Sequence, residues 1–211
     1  MGKDKKEKKA GRKKKLKVEF EIITDVPEPE TDKSAVERAA GAEIYDWFQS
    51  IITALLICVL VFVFLFRVIG VIGTSMTPTL LNNDKIITTK LFYTPKHGDI
   101  VVLRKTSFDE KPIVKRVIAT GGQTVDIDFD AGIVYVNGEP VDEPYVAEPT
   151  YRKINFDGEI TVPEGSIFVM GDNRNGSTDS RDSRIGFVDT REIIGKVIFR
   201  ILPIDDFGSV Y

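Results

Sequence analysis

Residues 133–141 read IVYVNGEPV, and this stretch carries the clearest fold signal in the chain. Asn137-Gly138 is the dipeptide typical of a two-residue β-hairpin turn, because both central positions of that turn need a positive φ. The segments on either side, VYV and EPV, are short enough to be the paired strand ends. We therefore predict a β-hairpin that turns at Asn137 and Gly138.

Short apolar runs of the same kind recur through residues 74–211, and Gly, Pro, Asn and Asp separate them. No long amphipathic helix interrupts this pattern, which is typical of a mainly β domain with little helix. The predicted strands are Lys85–Thr89, Ile100–Leu103, Ile113–Ala119, Thr124–Phe129, Ile133–Val136, Ser166–Met170 and Val197–Leu202.

Residues 47–66, WFQSIITALLICVLVFVFLF, contain no charged side chain. A helix of about 20 residues is long enough to cross the hydrocarbon core of a bilayer. We predict one transmembrane helix over residues 47–70, followed by an exported β-rich domain over 71–211. A buried core helix is the alternative, and it is disfavoured because a helix that is apolar all round would have nothing to pack against.

The first 46 residues are polar and predict a disordered, cytoplasmic tail, with a short helix possible from Ser34 to Asp46. Residues 1–17 carry ten Lys or Arg against two acids, and residues 18–46 carry two against nine. The basic run is suited to contact with anionic membrane lipid. A nucleic-acid partner is not expected, because no aromatic residue is interleaved with the lysines.

The charges that flank the apolar run predict its orientation. Two basic residues, Lys33 and Arg38, precede the run closely, and Arg67 follows it. The excess on the N-terminal side predicts a single-pass protein of the cell membrane, with a cytoplasmic N-terminus and an extracellular β domain.

The chain has 211 residues, of which one is a histidine, His97, and one a cysteine, Cys58. A zinc site built from Cys and His needs three or four such ligands, and an intrachain disulfide needs two cysteines. We therefore expect no metal and no cofactor. If the protein is an enzyme, its base is either His97, in a turn of sequence PKHGD, or a residue of another type.

A serine in a Gly/Thr/Pro-rich turn, Ser75 in GTSMTPTL (residues 73–80), is a candidate nucleophile, although most such serines only form turns. Its base would be His97 or Lys115. Strand alternation places Lys115 on the face of Ile113 and Val117, so the lysine has apolar neighbours. A base of this kind needs a pKa lowered by roughly 2–3 units through burial. An edge-strand lysine that prevents aggregation is the alternative, and the residues alone leave both open.

Residues 171–184, GDNRNGSTDSRDSR, combine charges of both signs with small hydroxyl side chains. Such a segment is either a long surface loop or an ordered polar network.

With these segments in place, residues 45–211 resemble the type I signal peptidases, membrane-bound Ser–Lys proteases that remove signal peptides from exported proteins. The likeness rests on the apolar run and four ordered motifs, and the single span resembles the Gram-positive form. The motifs are SMTPTL (75–80), GDIVV (98–102), KRV (115–117) and GDNR with STDSR (171–174 and 177–181).

The resemblance implies that Ser75 is the nucleophile and that Lys115 is the general base, which later protonates the leaving amine. Ser177 is similar to the hydroxyl that hydrogen-bonds and orients the lysine. The Ser75 N–H would be one oxyanion donor, and the second would come from the region of Gly73 and Thr74, since Gly73 stands where some members have a serine. The implied structural network comprises Arg116, as a partner of Asp172, together with Asp172, Arg174, Asp179 and Arg181.

The implied substrates are preproteins with small residues at positions −1 and −3 of the cleaved signal peptide. The residues that would line the shallow substrate pockets are Val71, Met76, Leu80, Ile113 and Val114. A self-cleaving Ser–Lys repressor-type protease is an alternative that the apolar run disfavours. A membrane-anchored β-rich binding domain without catalysis is a second alternative, and the presence of Ser75, Lys115 and Ser177 argues against it.

Overall fold

The computed structural model describes the backbone of residues 33–210 and the side chains of residues 44–210. The tail predicted to be disordered lies outside the described residues up to residue 32. From Lys33 the chain is helical, so the short helix predicted from Ser34 to Asp46 forms part of a longer one.

Helix α1 runs from Lys33 to Leu65. Its segment Ile44–Leu65 has 22 residues and is long and apolar enough to cross a membrane, and none of it is buried against the protein. The chain divides into two compact units between Ile52 and Thr53, so the C-terminal part of α1 belongs to the same unit as the sheets.

The predicted helix boundary at Gly70 is wrong by five residues. Phe66–Gly70 form strand β1, which pairs antiparallel with β2 (Lys85–Thr89), with Phe66 opposite Thr89. Val68 and Ile69 are β-branched and favour strands, and β2 supplies the hydrogen-bond partners that a helix would otherwise provide internally.

The fold is mainly β with one N-terminal apolar helix, as the sequence predicts. A seven-stranded sheet has the order β1-β2-β11-β3-β4-β9-β10, and a four-stranded sheet has the order β7-β6-β5-β8. All of the strand pairs are antiparallel. The remaining strands are β3 (Ile100–Leu103), β4 (Ile113–Thr120), β5 (Thr124–Asp128), β6 (Ile133–Val136), β7 (Glu139–Pro140), β8 (Ile160–Thr161), β9 (Ser166–Met170), β10 (Val188–Asp189) and β11 (Ile193–Leu202).

The predicted hairpin is confirmed. Asn137 and Gly138 have φ values of 53° and 78°, and they join β6 to β7 with Val136 opposite Glu139. Both residues occupy the left-handed region that this tight turn requires.

Strand β4 lies inside the larger sheet, between β3 and β9, and its two faces pack against different core clusters. Val114 joins a cluster with Met76 and Leu80, whereas Ile113 packs against one that contains Val117. Lys115 and Arg116 lie on this central strand and are 3% and 2% exposed. The fold therefore removes two adjacent cationic side chains from water.

Candidate active site

Ser75 lies in the loop between β1 and β2, and backbone hydrogen bonds close this loop. The Val71 N–H donates to the Asp84 carbonyl, and the Asn83 N–H donates to the Val71 carbonyl. Gly73 has a φ of +96°, which favours glycine because it lacks a Cβ atom. The loop holds Ser75 half-buried at the border of the core.

Lys115 is the base candidate that contacts the serine. Its Nζ donates a hydrogen bond of 2.8 Å to Ser75 Oγ. His97 is engaged elsewhere, with its Nδ1 2.7 Å from the carbonyl oxygen of Ile118. The alternative of an edge-strand lysine is wrong, because β4 is an internal strand and Lys115 is buried.

Burial lowers the pKa of the Lys115 amine from 10.5 to about 8. Desolvation is the largest cause, since the charged ammonium loses its water on this strand. Asp179 and Asp172 oppose it by raising the pKa, and Arg181 lowers the pKa further. At pH 8 about half of the lysine is then neutral, compared with about 0.3% for a lysine with the ordinary pKa.

Paired arginines explain why the two carboxylates do not prevail over desolvation. Asp172 accepts from Arg116 Nε at 2.8 Å and Nη2 at 2.7 Å. Asp179 accepts from Arg181 Nε at 2.8 Å and Nη2 at 2.9 Å. Each carboxylate is paired with an arginine through two hydrogen bonds. The positive guanidinium largely offsets the carboxylate's charge, so the carboxylate raises the pKa of the Lys115 amine less than an unpaired one would.

Residues 171–184 form the ordered polar network, and the alternative of a long surface loop is wrong. Arg174 forms an ion pair with Glu143, and its Nε donates to the Gly171 carbonyl at 3.0 Å. Arg181 Nη2 donates to the Arg174 carbonyl at 2.6 Å, which links two of the arginines. The five residues of the predicted network are all buried, and they are Arg116, Asp172, Arg174, Asp179 and Arg181.

Three members of the network were not predicted from the sequence. Glu143 pairs with Arg174, and the Tyr145 ring stacks on the Arg116 guanidinium with a centroid distance of 3.8 Å. Thr79 donates to Asp172 Oδ2 at 2.5 Å. Thr79 stands within the SMTPTL motif and could have been named, whereas nothing in the local sequence marks Glu143 or Tyr145.

The predicted hydrogen bond between Ser177 and Lys115 is not formed. The Ser177 side chain is fully buried, and its Oγ has no hydrogen-bond partner among residues 44–210. The hydrogen bond that the structure gives the amine goes to Ser75 instead. Ser177 Oγ lies beside Gly171, where any Cβ atom would clash with it, so the site depends on glycine at position 171. The orienting role of Ser177 stays a prediction.

The backbone around Ser75 limits which groups can serve as oxyanion donors. The Gly73 N–H already donates to Asn82 Oδ1 at 2.9 Å, so it is occupied. The Thr74 carbonyl accepts from Asn173 Nδ2, and the Ser75 carbonyl accepts from the Asn173 N–H. Within the described part of the chain the Ser75 N–H has no backbone partner, so it can still donate to a substrate.

The residues predicted to line substrate pockets surround the loop but are mostly core residues. Met76 and Leu80 are at most 1% exposed, and Val71 and Val114 are also buried. Ile113 is partly buried and packs on the other face of β4. The structure brings Val71, Met76, Leu80 and Val114 into one cluster and leaves Ile113 outside it. Their contact with substrate stays a prediction.

Comparison with known proteins gives a consistent result. The family described as Signal peptidase, peptidase S26 matches residues 44–202. The chain is 37% identical to a signal peptidase I of Bacillus licheniformis over 77% of this chain and 91% of that protein. It is 39% identical to a probable signal peptidase I-1 of Synechocystis over 64% and 71% of the two chains. A solved structure of a signal peptidase I from Enterococcus faecalis aligns over 49% of this chain and 97% of that one, with 30% identity and a TM-score of 0.42.

Proposed function

The chain belongs to the signal peptidase family, peptidase S26, and we propose that it removes signal peptides from exported preproteins as a serine endopeptidase with a Ser75–Lys115 dyad. The observation that carries the proposal is the 2.8 Å hydrogen bond between Lys115 Nζ and Ser75 Oγ, made by a lysine that is 3% exposed. A nucleophile in contact with a desolvated amine is what a Ser–Lys mechanism requires.

In the proposed reaction the neutral Lys115 amine takes the proton of Ser75 Oγ as the oxygen attacks the scissile carbonyl. The carbonyl oxygen becomes an oxyanion, to which the Ser75 N–H donates. The Lys115 ammonium then gives its proton to the departing amine, which leaves as the mature protein's N-terminus. An ester between Ser75 and the signal peptide remains. Lys115 deprotonates a water that attacks this ester, and the lysine returns the proton to Ser75 Oγ as the bond to the signal peptide's carbonyl carbon breaks.

The position of the dyad suits a substrate that emerges from a membrane. Ser75 follows the last residue of α1, Leu65, by ten residues. The proposed orientation has the N-terminus in the cytoplasm and the β sheets outside, which holds the nucleophile near the outer membrane surface. Confinement to that surface raises the effective concentration of the bond to be cleaved.

We expect the purified full-length protein in lipid vesicles to cleave a preprotein whose signal peptide ends in Ala-x-Ala, directly after the second alanine. The measurement is the mass of the released mature protein, which fixes the bond that was cut. A preprotein with leucine at position −1 is the control, because a larger side chain should not fit a shallow pocket. If both preproteins remain intact, the alternative of a binding domain without catalysis is favoured.

The pH profile of cleavage should report the Lys115 amine. Because the base must be neutral and its pKa is about 8, kcat/KM should fall about tenfold per pH unit below pH 8 and level off above it. At pH 6 the value of kcat/KM should be about 1% of its plateau value. A profile that stays flat down to pH 6 would show that the group with this pKa is not the base.

A further inference from the structure

A basic groove lies where helix α1 ends and strand β1 begins. It encloses about 700 Å³, and its lining includes the helix end at Leu65 and four basic side chains. We refer to it as the juxtamembrane groove, and its charged lining residues are Arg67, Lys90, Arg104, Arg191 and Glu192.

The register of the sheet places this groove beside the C-terminal end of the apolar helix segment. β1 begins immediately after α1, and Phe66 lies opposite Thr89 of β2, so Lys90 and Leu91 continue from β2 beside the end of the helix. The apolar segment of α1 ends at Leu65. If this segment crosses the membrane, the groove lies where hydrocarbon gives way to lipid headgroups.

Three of the groove's cations have no ion-pair partner in the part of the chain that the structure describes. Arg191 forms an ion pair with Asp189 at 2.6 Å, and Glu192 forms one with Lys105 at 2.9 Å. The remaining three, Arg67, Lys90 and Arg104, are exposed, and none of them has an ion-pair partner within residues 44–210. Lys90 Nζ donates to the carbonyl of Arg191 at 3.3 Å, and this hydrogen bond holds the amine beside another residue that lines the groove.

Apolar side chains accompany these cations. Phe64 and Leu91 line the groove, and the adjacent Phe92 is 97% exposed. A phenylalanine fully exposed to water is unfavourable but is stable at a membrane interface, where its ring contacts lipid chains. A site that offers both cations and apolar contacts fits a phosphate that carries acyl chains better than a free phosphate.

We propose that the juxtamembrane groove binds the phosphodiester headgroup of an anionic phospholipid in the leaflet at the C-terminal end of α1. Arg67, Lys90 and Arg104 contact the phosphate, and the apolar residues contact the acyl chains. This binding site lies outside the Ser75–Lys115 dyad and depends on α1 crossing the membrane, not on proteolysis. Its failure in the test below would leave the proposed peptidase activity untouched.

The test is native mass spectrometry of the full-length protein in neutral detergent, titrated with phosphatidylglycerol or with phosphatidylcholine of the same acyl chains. We expect tighter binding of phosphatidylglycerol to the wild type. Each cation near the membrane surface should contribute about fivefold to the affinity for the lipid. The triple variant Arg67→Gln/Lys90→Gln/Arg104→Gln should therefore bind phosphatidylglycerol on the order of 100-fold more weakly. The variant Arg104→Gln alone should lose about fivefold.

The control removes the same charge elsewhere, in the variant Lys96→Gln/Lys111→Gln/Lys153→Gln, whose lysines are exposed and do not line the groove. This control should bind the lipid within about twofold of wild type. The basic N-terminal tail is present in all variants, so its contribution to lipid binding does not affect the comparison between them. Both triple variants should unfold within about 2 °C of wild type.

Three results would overturn the proposal. The groove variants could bind phosphatidylglycerol as wild type does, or the control variant could lose as much as the groove variant, which would indicate diffuse attraction. Displacement of the lipid by millimolar inorganic phosphate would show that the groove takes a soluble anion and not a lipid.

Discussion

Replacing Lys115 with alanine is expected to lower kcat/KM for preprotein cleavage by about 10⁴-fold or more, with no recovery at high pH. The amine is the group that the structure places 2.8 Å from Ser75 Oγ, so its loss leaves the serine with no base in contact. Lys115→Arg should be equally inactive, because a guanidinium stays protonated and cannot accept the proton.

The matched control is Lys96→Ala, which removes an exposed lysine outside the site and should retain wild-type kcat/KM. All three variants are compared by initial rates of preprotein cleavage at pH 9, where the wild-type amine is mostly neutral. Cleavage by Lys115→Ala within about tenfold of wild type would remove the lysine from the mechanism.

Asp172→Ala is expected to destabilise the β unit by about 3–5 kcal/mol, because it leaves the Arg116 guanidinium buried without its carboxylate. Both members of this pair are at most 2% exposed, and Thr79 also loses its acceptor. For a unit of this size the loss corresponds to a fall in Tm of about 10 °C or more. Chemical denaturation followed by circular dichroism measures the free energy of unfolding directly.

The control for this substitution is Asp157→Ala, which removes a carboxylate of the exposed ion pair with Lys153. It should change the free energy of unfolding by less than about 0.5 kcal/mol. Asp172→Asn keeps the shape of the side chain and provides a folded variant. In it the acid limb of the pH profile should move to lower pH, because Asp172 raises the pKa of Lys115. Equal effects of Asp172→Ala and Asp157→Ala would contradict the structural role of the buried pair.

Local patterns predicted the β fold well where a strand carries its own signal. The Asn137-Gly138 turn is confirmed, and β2, β3, β6 and β9 begin and end where the apolar runs do. The short strands, such as β7 and β8 with two residues each, have no such signal because they form only against a partner. The apolar run predicts helix instead of β1 for a related reason, since such a run does not show where strand pairing begins.

Local sequence patterns predicted less of the candidate active site than of the fold. Ser75 and Lys115 lie 40 residues apart, and nothing in either segment alone showed that they touch. The resemblance to a family supplied that pairing, together with Arg116 and Asp172. Glu143 and Tyr145 were outside the motifs of that resemblance. They lie far from Arg174 and Arg116 in the sequence and contact them only in the folded chain. Ser177 is buried beside Gly171, and its Oγ does not form the predicted hydrogen bond to Lys115.

In the proposed mechanism Ser75 Oγ, activated by the buried Lys115 amine, cleaves signal peptides. The most direct measurement is the Ala-x-Ala preprotein assay in vesicles with Ser75→Ala beside the wild type at pH 9. The wild type should release the mature protein, and Ser75→Ala, although folded, should release none above the uncatalysed background. Release of the same mature protein by Ser75→Ala at a rate near that of the wild type would contradict it.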